Sequence, residues 1–126
     1  MQKYFYIAAG GAAGTLCRYV VSGAAQRMFD TSFPAGTFTV NMLGCLLFGL
    51  VTGTFEDRLG LSPEMRLMIL TGFMGAFTTF STYMFETTTL IKSGQWPMAA
   101  LNIGGQSALG FVCVIAGLAL GRLIVS

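Results

Sequence analysis

Between Leu67 and Phe85 the chain carries no charged residue, and this run is long enough to cross a bilayer, which takes about 20 apolar residues as a helix. Its middle is poorly written for a simple helix. Gly72 and Gly75 loosen the backbone, and the hydroxyls of Thr78, Thr79, Ser81 and Thr82 compete with the main chain for hydrogen bonds. The pattern predicts a break between Gly75 and Thr79. At membrane depth, backbone leaves the helix only where it is buried in protein or lines a wet cavity, because unpaired amides and carbonyls cannot face lipid. A break there therefore marks a site. Phe80 and Tyr83, three residues apart just beyond it, share one helical face. The plainer reading is that small and hydroxyl residues only permit close helix packing.

Charged residues make up 10% of the 126-residue chain and hydrophobic ones 54%, whereas a soluble domain carries about 25% charged residues. A single polytopic membrane domain over 1–126 is the expectation. The net charge of +2 is small and scattered, which speaks against nucleic acid as a partner. Cys17, Cys45 and Cys113 lie in apolar segments at no metal-ligand spacing, and histidine is absent, so buried thiols are expected. Lys3 before an apolar run looks superficially like a signal peptide. The apolar character continues to Arg18 and beyond without a cleavage pattern, so a retained first helix is expected.

The spans are expected at about 4–29, 35–55, 66–92 and 96–122. In the first, Gly10 and Gly14 form a small-xxx-small pair that leads one turn later, on the same face, to Arg18. A guanidinium inside a span is costly and is a functional candidate; the alternative is snorkelling to the interface. In the second, Thr37, Asn41, Gly44, Cys45, Phe48, Gly49 and Thr52 recur at helical spacing, a small and polar stripe that should face protein. Asn41 either bonds another helix or offers its amide donors to a bound species. Glu56, Asp57 and Arg58 belong to a polar loop, and Pro63 stands where a helix can begin. Glu86 reads most simply as an interfacial carboxylate. Ser93, Gly94 and Gln95 make a tight connection to the fourth span, where Trp96 is expected to anchor at the interface. Asn102 and Gln106 then lie one turn apart, beside Ser107, with Gly110, Gly117 and Gly121 farther along the helix.

With four spans, Lys3, Arg58, Arg66 and Arg122 fall on one side of the membrane and Arg27 and Lys92 on the other, a feeble orientation bias. No nucleophile and base pair, phosphate loop, metal-ligand cluster or carboxylate pair can be assembled, so an enzyme is not expected. What the spans hold is neutral donors (Asn41, Thr79, Ser81, Thr82, Asn102 and Gln106), an aromatic pair and one guanidinium. That inventory suits a small anion. Dehydrating a bare charge in a low-dielectric interior costs on the order of tens of kcal/mol, so replacement donors are essential, and aromatic rings add positive potential at their edges.

The stretch Gly75-Ala-Phe77-Thr78-Thr79-Phe80-Ser81-Thr82-Tyr83 resembles the G-G-[LF]-[ST]-T-F-S-T-F signature of the CrcB/Fluc fluoride channel family. Gly36-Thr37-Phe38-Thr39-Val40-Asn41-Met42-Leu43-Gly44 is similar to that family's G-T-L-x-x-N-x-x-G segment, and Gly14 with Arg18 to its G-x-x-x-R pattern. Glu86 fits as well, and the match runs along nearly the whole chain. The resemblance implies an all-α membrane protein of four transmembrane helices with a broken third helix, assembled as an antiparallel, dual-topology homodimer. Its implied activity is fluoride-selective, passive export from the cytoplasm across the bacterial plasma (inner) membrane, relieving fluoride toxicity.

By the same resemblance the fluoride pathway comprises Asn41, Phe80, Tyr83, Thr79, Ser81, Thr82 and Gln106, with Arg18 in the vestibule. A structural sodium ion at the dimer centre would be held by the main-chain carbonyls of Gly75 and Thr78 from both subunits. Tyr83 stands where the family has phenylalanine, and Gly110 where it often has serine, a position for which Gln106 or Ser107 could substitute. The alternative is a small proton-coupled cation or multidrug exporter, which wants a carboxylate deep in the membrane; the first span carries Arg18 and no acid. A non-transporting membrane scaffold is the third reading.

Overall fold

The computed structural model describes residues 1–55 and 60–125. Glu56, Asp57 and Arg58, expected in the polar loop, lie outside the described residues. Helix α1 covers Gln2–Phe29 and α2 covers Ala35–Phe55. The third stretch divides into α3 (Pro63–Arg66), a π-helical segment (Leu67–Met74), α4 (Gly75–Phe77) and α5 (Phe80–Lys92), and α6 runs over Trp96–Val125. The expected second span matches its helix residue for residue. The third begins at Pro63, three residues earlier than expected. There Ser62 caps it by accepting a hydrogen bond from the Met65 amide at 3.2 Å, with proline in the first turn.

Three stretches, Ala35–Phe55, Pro63–Lys92 and Trp96–Val125, are long and apolar enough to cross a membrane. Helix α1 has 28 residues, about 42 Å at 1.5 Å each, but Thr15, Arg18, Ser22 and Gln26 dilute its apolar character. It ends where Asp30 turns left-handed (φ 39°) and its amide donates to Gln26 O. The Gln26 side chain then stitches the connection. Its Nε2 donates to the carbonyls of Thr31 (2.9 Å) and Phe33 (3.1 Å), while its Oε1 accepts from the Gly36 amide (3.1 Å) in the first turn of α2.

Two helix pairs make the closest contacts, α2 against α6 and α1 against the π-helical segment. Both rest on glycine. A methyl group at Gly10 would strike the Met68 carbonyl, and one at Gly14 the Phe73 carbonyl, so the small-xxx-small pair docks α1 on the third span as expected. In the other pair, Gly49 abuts Val114 O and Gly117 abuts Leu46 O. Gly110, Gly117 and Gly121 are all buried. The α2 stripe is narrower than expected: Thr37, Gly44 and Gly49 are buried, but Phe48 is exposed.

The break falls inside the expected stretch, and of the two causes expected there the hydroxyl residues carry it. Gly75 is helical (φ −62°, ψ −32°), while Thr78 (φ −88°, ψ 159°) and Thr79 (φ −149°, ψ 116°) are extended. Hydroxyl residues, not glycine, leave the helix. The π-helical turns before it were not foreseen, because Leu67–Met74 is uniformly apolar apart from Thr71 and Gly72 and has no signature of wide turns. Cys17 departs from the expected burial and is exposed on α1, whereas Cys45 and Cys113 are half-buried.

Candidate functional site

The site grows from the two extended residues. Thr78 finishes the preceding helix by donating to the Met74 carbonyl from both its amide (3.2 Å) and its Oγ1 (3.0 Å). Thr79 opens the next one: its Oγ1 accepts from the Thr82 amide at 3.3 Å, an N-cap, and donates to Thr82 Oγ1 at 2.9 Å. Its amide is left without a helical acceptor, and α2 meets the Thr79 peptide on both sides. Asn41 Oδ1 accepts from the Thr79 amide (2.9 Å) while Asn41 Nδ2 donates to the Thr79 carbonyl (3.2 Å).

Asn41 Nδ2 also donates to Gln106 Oε1, at 2.6 Å. A side-chain amide has two N–H groups, so both donors of Asn41 are committed to protein. Of the two roles left open by the sequence, the inter-helix bond is the one adopted. Gly44, one turn farther along α2, has no room for a methyl because Thr78 Cγ2 lies against it, and the Thr78 side chain docks there.

Beside this clamp lies a cavity of about 310 Å³ lined by Asn41, Thr78, Thr79, Phe80, Tyr83 and Gln106, together with Met42, Cys45 and Ser107. The Phe80 and Tyr83 rings meet edge to face at 5.7 Å and 63°. Phe80 is 73% exposed and Tyr83 only 7%. The extra hydroxyl of Tyr83 donates to the Ile103 carbonyl at 3.3 Å and so is tied to α6.

A second cavity, about 350 Å³, is lined by Arg18, Thr15, Tyr19, Ser22, Thr37 and Thr82, with Gly23, Val40 and Thr79. Thr79 lines both and stands between them. Arg18 is half-buried in this polar wall. Thr37 Oγ1 donates to Glu86 Oε1 at 2.7 Å, and Glu86 Oε2 is buried with no partner among the described residues. Glu86 is thus turned toward α2 and half-buried. Ser81 lines neither cavity and is exposed on α5.

The break also frees carbonyls. In an unbroken helix the Thr79 amide would bond Gly75 O and the Thr82 amide would bond Thr78 O. Here the first goes to Asn41 and the second to Thr79 Oγ1. Gly75 O and Thr78 O lose their helical donors, which is the donor chemistry a hard cation takes. Both residues border a third cavity, about 220 Å³, with Gly44, Cys45 and Met74. Among the described residues no group of three His, Cys, Asp or Glu side chains could hold a metal.

Thr87 and the directionality of Asn102 were not foreseen as parts of this constellation. Thr87 Oγ1 donates to Tyr83 O at 2.8 Å and accepts from Asn102 Nδ2 at 2.8 Å. The one available signal was its place one turn after Tyr83.

The family model described as CrcB-like protein, Camphor Resistance (CrcB), matches residues 5–118. A protein of Maridesulfovibrio salexigens named fluoride-specific ion channel FluC is 81% identical over 126 residues, covering 100% of both chains. A protein of the same name from Nitratidesulfovibrio vulgaris is 52% identical over 124 residues, covering 98% of this chain and 100% of its own. Another, from Acidobacterium capsulatum, is 44% identical over 125 residues, covering 99% of this chain and 100% of its own. With its helix-breaking threonines clamped by an α2 asparagine and its full length matched in this way, the chain is a multi-pass membrane protein that belongs to the CrcB family.

Proposed function

We propose that the chain is a fluoride-specific ion channel that lets cytoplasmic fluoride leave passively across the bacterial plasma (inner) membrane. It acts as one four-span domain over 1–126, paired with a second copy as an antiparallel, dual-topology homodimer. The observation that carries this reading is the gathering of Asn41, Thr79, Phe80, Tyr83 and Gln106 around one cavity, in a chain whose relatives bear the name fluoride-specific ion channel. The Phe80 and Tyr83 ring edges, with the Gln106 N–H not given to Asn102, replace water around the halide, while Asn41 and Thr79 shape the wall. Arg18, with Thr82 in the adjoining cavity, draws anions toward the route as its vestibule. Ser81, exposed on α5, joins the route at its rim.

Two features support a second copy. The space a Cβ would take at Gly75 is empty, so another chain can approach the break there, and Phe80 stands largely uncovered in a single chain. The carbonyls of Gly75 and Thr78, freed as described, fit a sodium ion shared between copies, a structural role that satisfies backbone left by the helix. Weak charge asymmetry in the sequence, with Lys3, Arg58, Arg66 and Arg122 against Arg27 and Lys92, is compatible with insertion both ways up.

Vesicles loaded with fluoride are expected to empty when they contain the purified protein, while chloride-loaded vesicles stay full. Equal release of both ions would overturn fluoride selectivity. Tyr83→Phe keeps the ring edge and loses only the bond to Ile103 O, so fluoride release should stay within about threefold of the parent rate, the loss of one weak hydrogen bond. A collapse of flux in that variant would show the hydroxyl to be part of the pathway.

A further inference from the structure

A line of hydrogen bonds joins the break to the start of α5 by way of two other helices. Starting from the break, Asn41 Nδ2 donates to Gln106 Oε1 (2.6 Å) and Gln106 Nε2 donates to Asn102 Oδ1 (2.8 Å). Asn102 Nδ2 then donates to Thr87 Oγ1 (2.8 Å), whose hydroxyl donates to the Tyr83 carbonyl (2.8 Å). Thr87, Asn102 and Gln106 are 3%, 0% and 7% exposed, so water has little access to them.

The direction of every link is forced. A threonine hydroxyl has one hydrogen, and a backbone carbonyl can only accept. With that hydrogen given to Tyr83 O, Thr87 Oγ1 can only accept from Asn102, which turns Asn102 Oδ1 toward Gln106. Gln106 must then spend a donor on Asn102 and show its oxygen to Asn41. Asn41 in turn places Nδ2 toward Gln106 and the Thr79 carbonyl, leaving Oδ1 for the Thr79 amide. Worked from the other end, the Thr79 peptide groups demand the same orientation of Asn41. Both ends agree.

We propose that Thr87 and Asn102 are positioning residues of the pathway: through Gln106 they hold the Asn41 amide in the one orientation that clamps the broken third span. They touch no ion. Their role is to transmit the polarity of the Tyr83 carbonyl to the Thr79 peptide, so that Asn41 serves as a clamp with both N–H groups spent. This rests on the fluoride-channel reading above and adds two residues to it.

Paired substitutions at Thr87 separate hydrogen bonding from packing. Thr87→Val keeps the shape and removes the hydroxyl, whereas Thr87→Ser keeps the hydroxyl and removes a methyl. Fluoride release from vesicles should fall roughly tenfold in the valine variant, as expected for stranding a buried amide donor, and the serine variant should retain most of the parent rate. Valine at the parent rate, or serine as slow as valine, would overturn the relay and leave Thr87 a packing residue. If the unsubstituted protein releases no fluoride, the channel reading falls, and the relay is judged on hydrogen exchange alone. That measurement, on the unsubstituted protein by side-chain amide NMR, also decides if the valine variant does not fold. Both Nδ2 hydrogens of Asn41 and the bonded one of Asn102 should exchange slowly. Exchange of the Asn41 amide at the rate of an exposed asparagine would sink the proposal.

Discussion

Asn41→Asp is expected to abolish fluoride release, with a fall of roughly a hundredfold or more. The aspartate keeps one oxygen for the Thr79 amide. Its second oxygen, however, replaces Nδ2 where that group meets the Thr79 carbonyl at 3.2 Å and Gln106 Oε1 at 2.6 Å. Two acceptors then face a third. Gln106 can relieve one clash by turning over, but this costs its bond to Asn102, and the Thr79 carbonyl has no such freedom. Each stranded buried group costs about 1 to 3 kcal/mol, more when charge is involved, and about 1.4 kcal/mol is tenfold. The added negative charge also borders the cavity and repels an anion at close range. Flux measured with a fluoride electrode, on variant protein that still elutes as a single folded species, is the test. An unchanged rate would remove Asn41 from the route and the clamp from the mechanism.

The second large effect concerns assembly of the helices. Gly117→Leu should yield little or no folded protein, because the first added carbon already strikes Leu46 O and would lie 2.7 Å from Leu50 N and 3.0 Å from Gly49 C. These are backbone atoms of α2, and a helix cannot turn aside as a flexible side chain can. Overpacking of an ordinary core costs about 1 to 3 kcal/mol, and a clash with backbone sits at or above the top of that range. Since α2 against α6 is the most extensive helix pair and carries both Asn41 and Gln106, separating it also pulls the clamp apart. Thermal unfolding in detergent is the measurement. A leucine variant with the parent melting temperature would mean that the two helices do not pack as described.

Much of this architecture could be read in advance, for reasons that differ from residue to residue. The span at 35–55 was readable because hydrophobic length and bounding polar residues are local properties, and lipid leaves the backbone few alternatives to a helix. Gly10, Gly14, Gly117 and Gly121 were readable as contact points because only a missing Cβ allows backbones so near. The break falls inside the expected Gly75 to Thr79 stretch, and of the two causes anticipated, glycine freedom and competing hydroxyls, only the second applies. Competition for hydrogen bonds, and not backbone freedom, opens the helix there.

The orientation of Asn41 could not be read at all. Sequence spacing shows that an amide lies on one face of α2, but its choice between a neighbouring helix and a bound ion depends on partners 38 and 65 residues away. The same holds for Thr87, unremarkable on α5 until Asn102 of α6 is brought against it. What the order of residues settled was the class of molecule, its membrane habit and the place where a helix would come apart. Three-dimensional packing alone settled which groups meet the parted backbone, because a hydrogen bond is directional and short, and its partners are assigned only when separate helices have been set side by side.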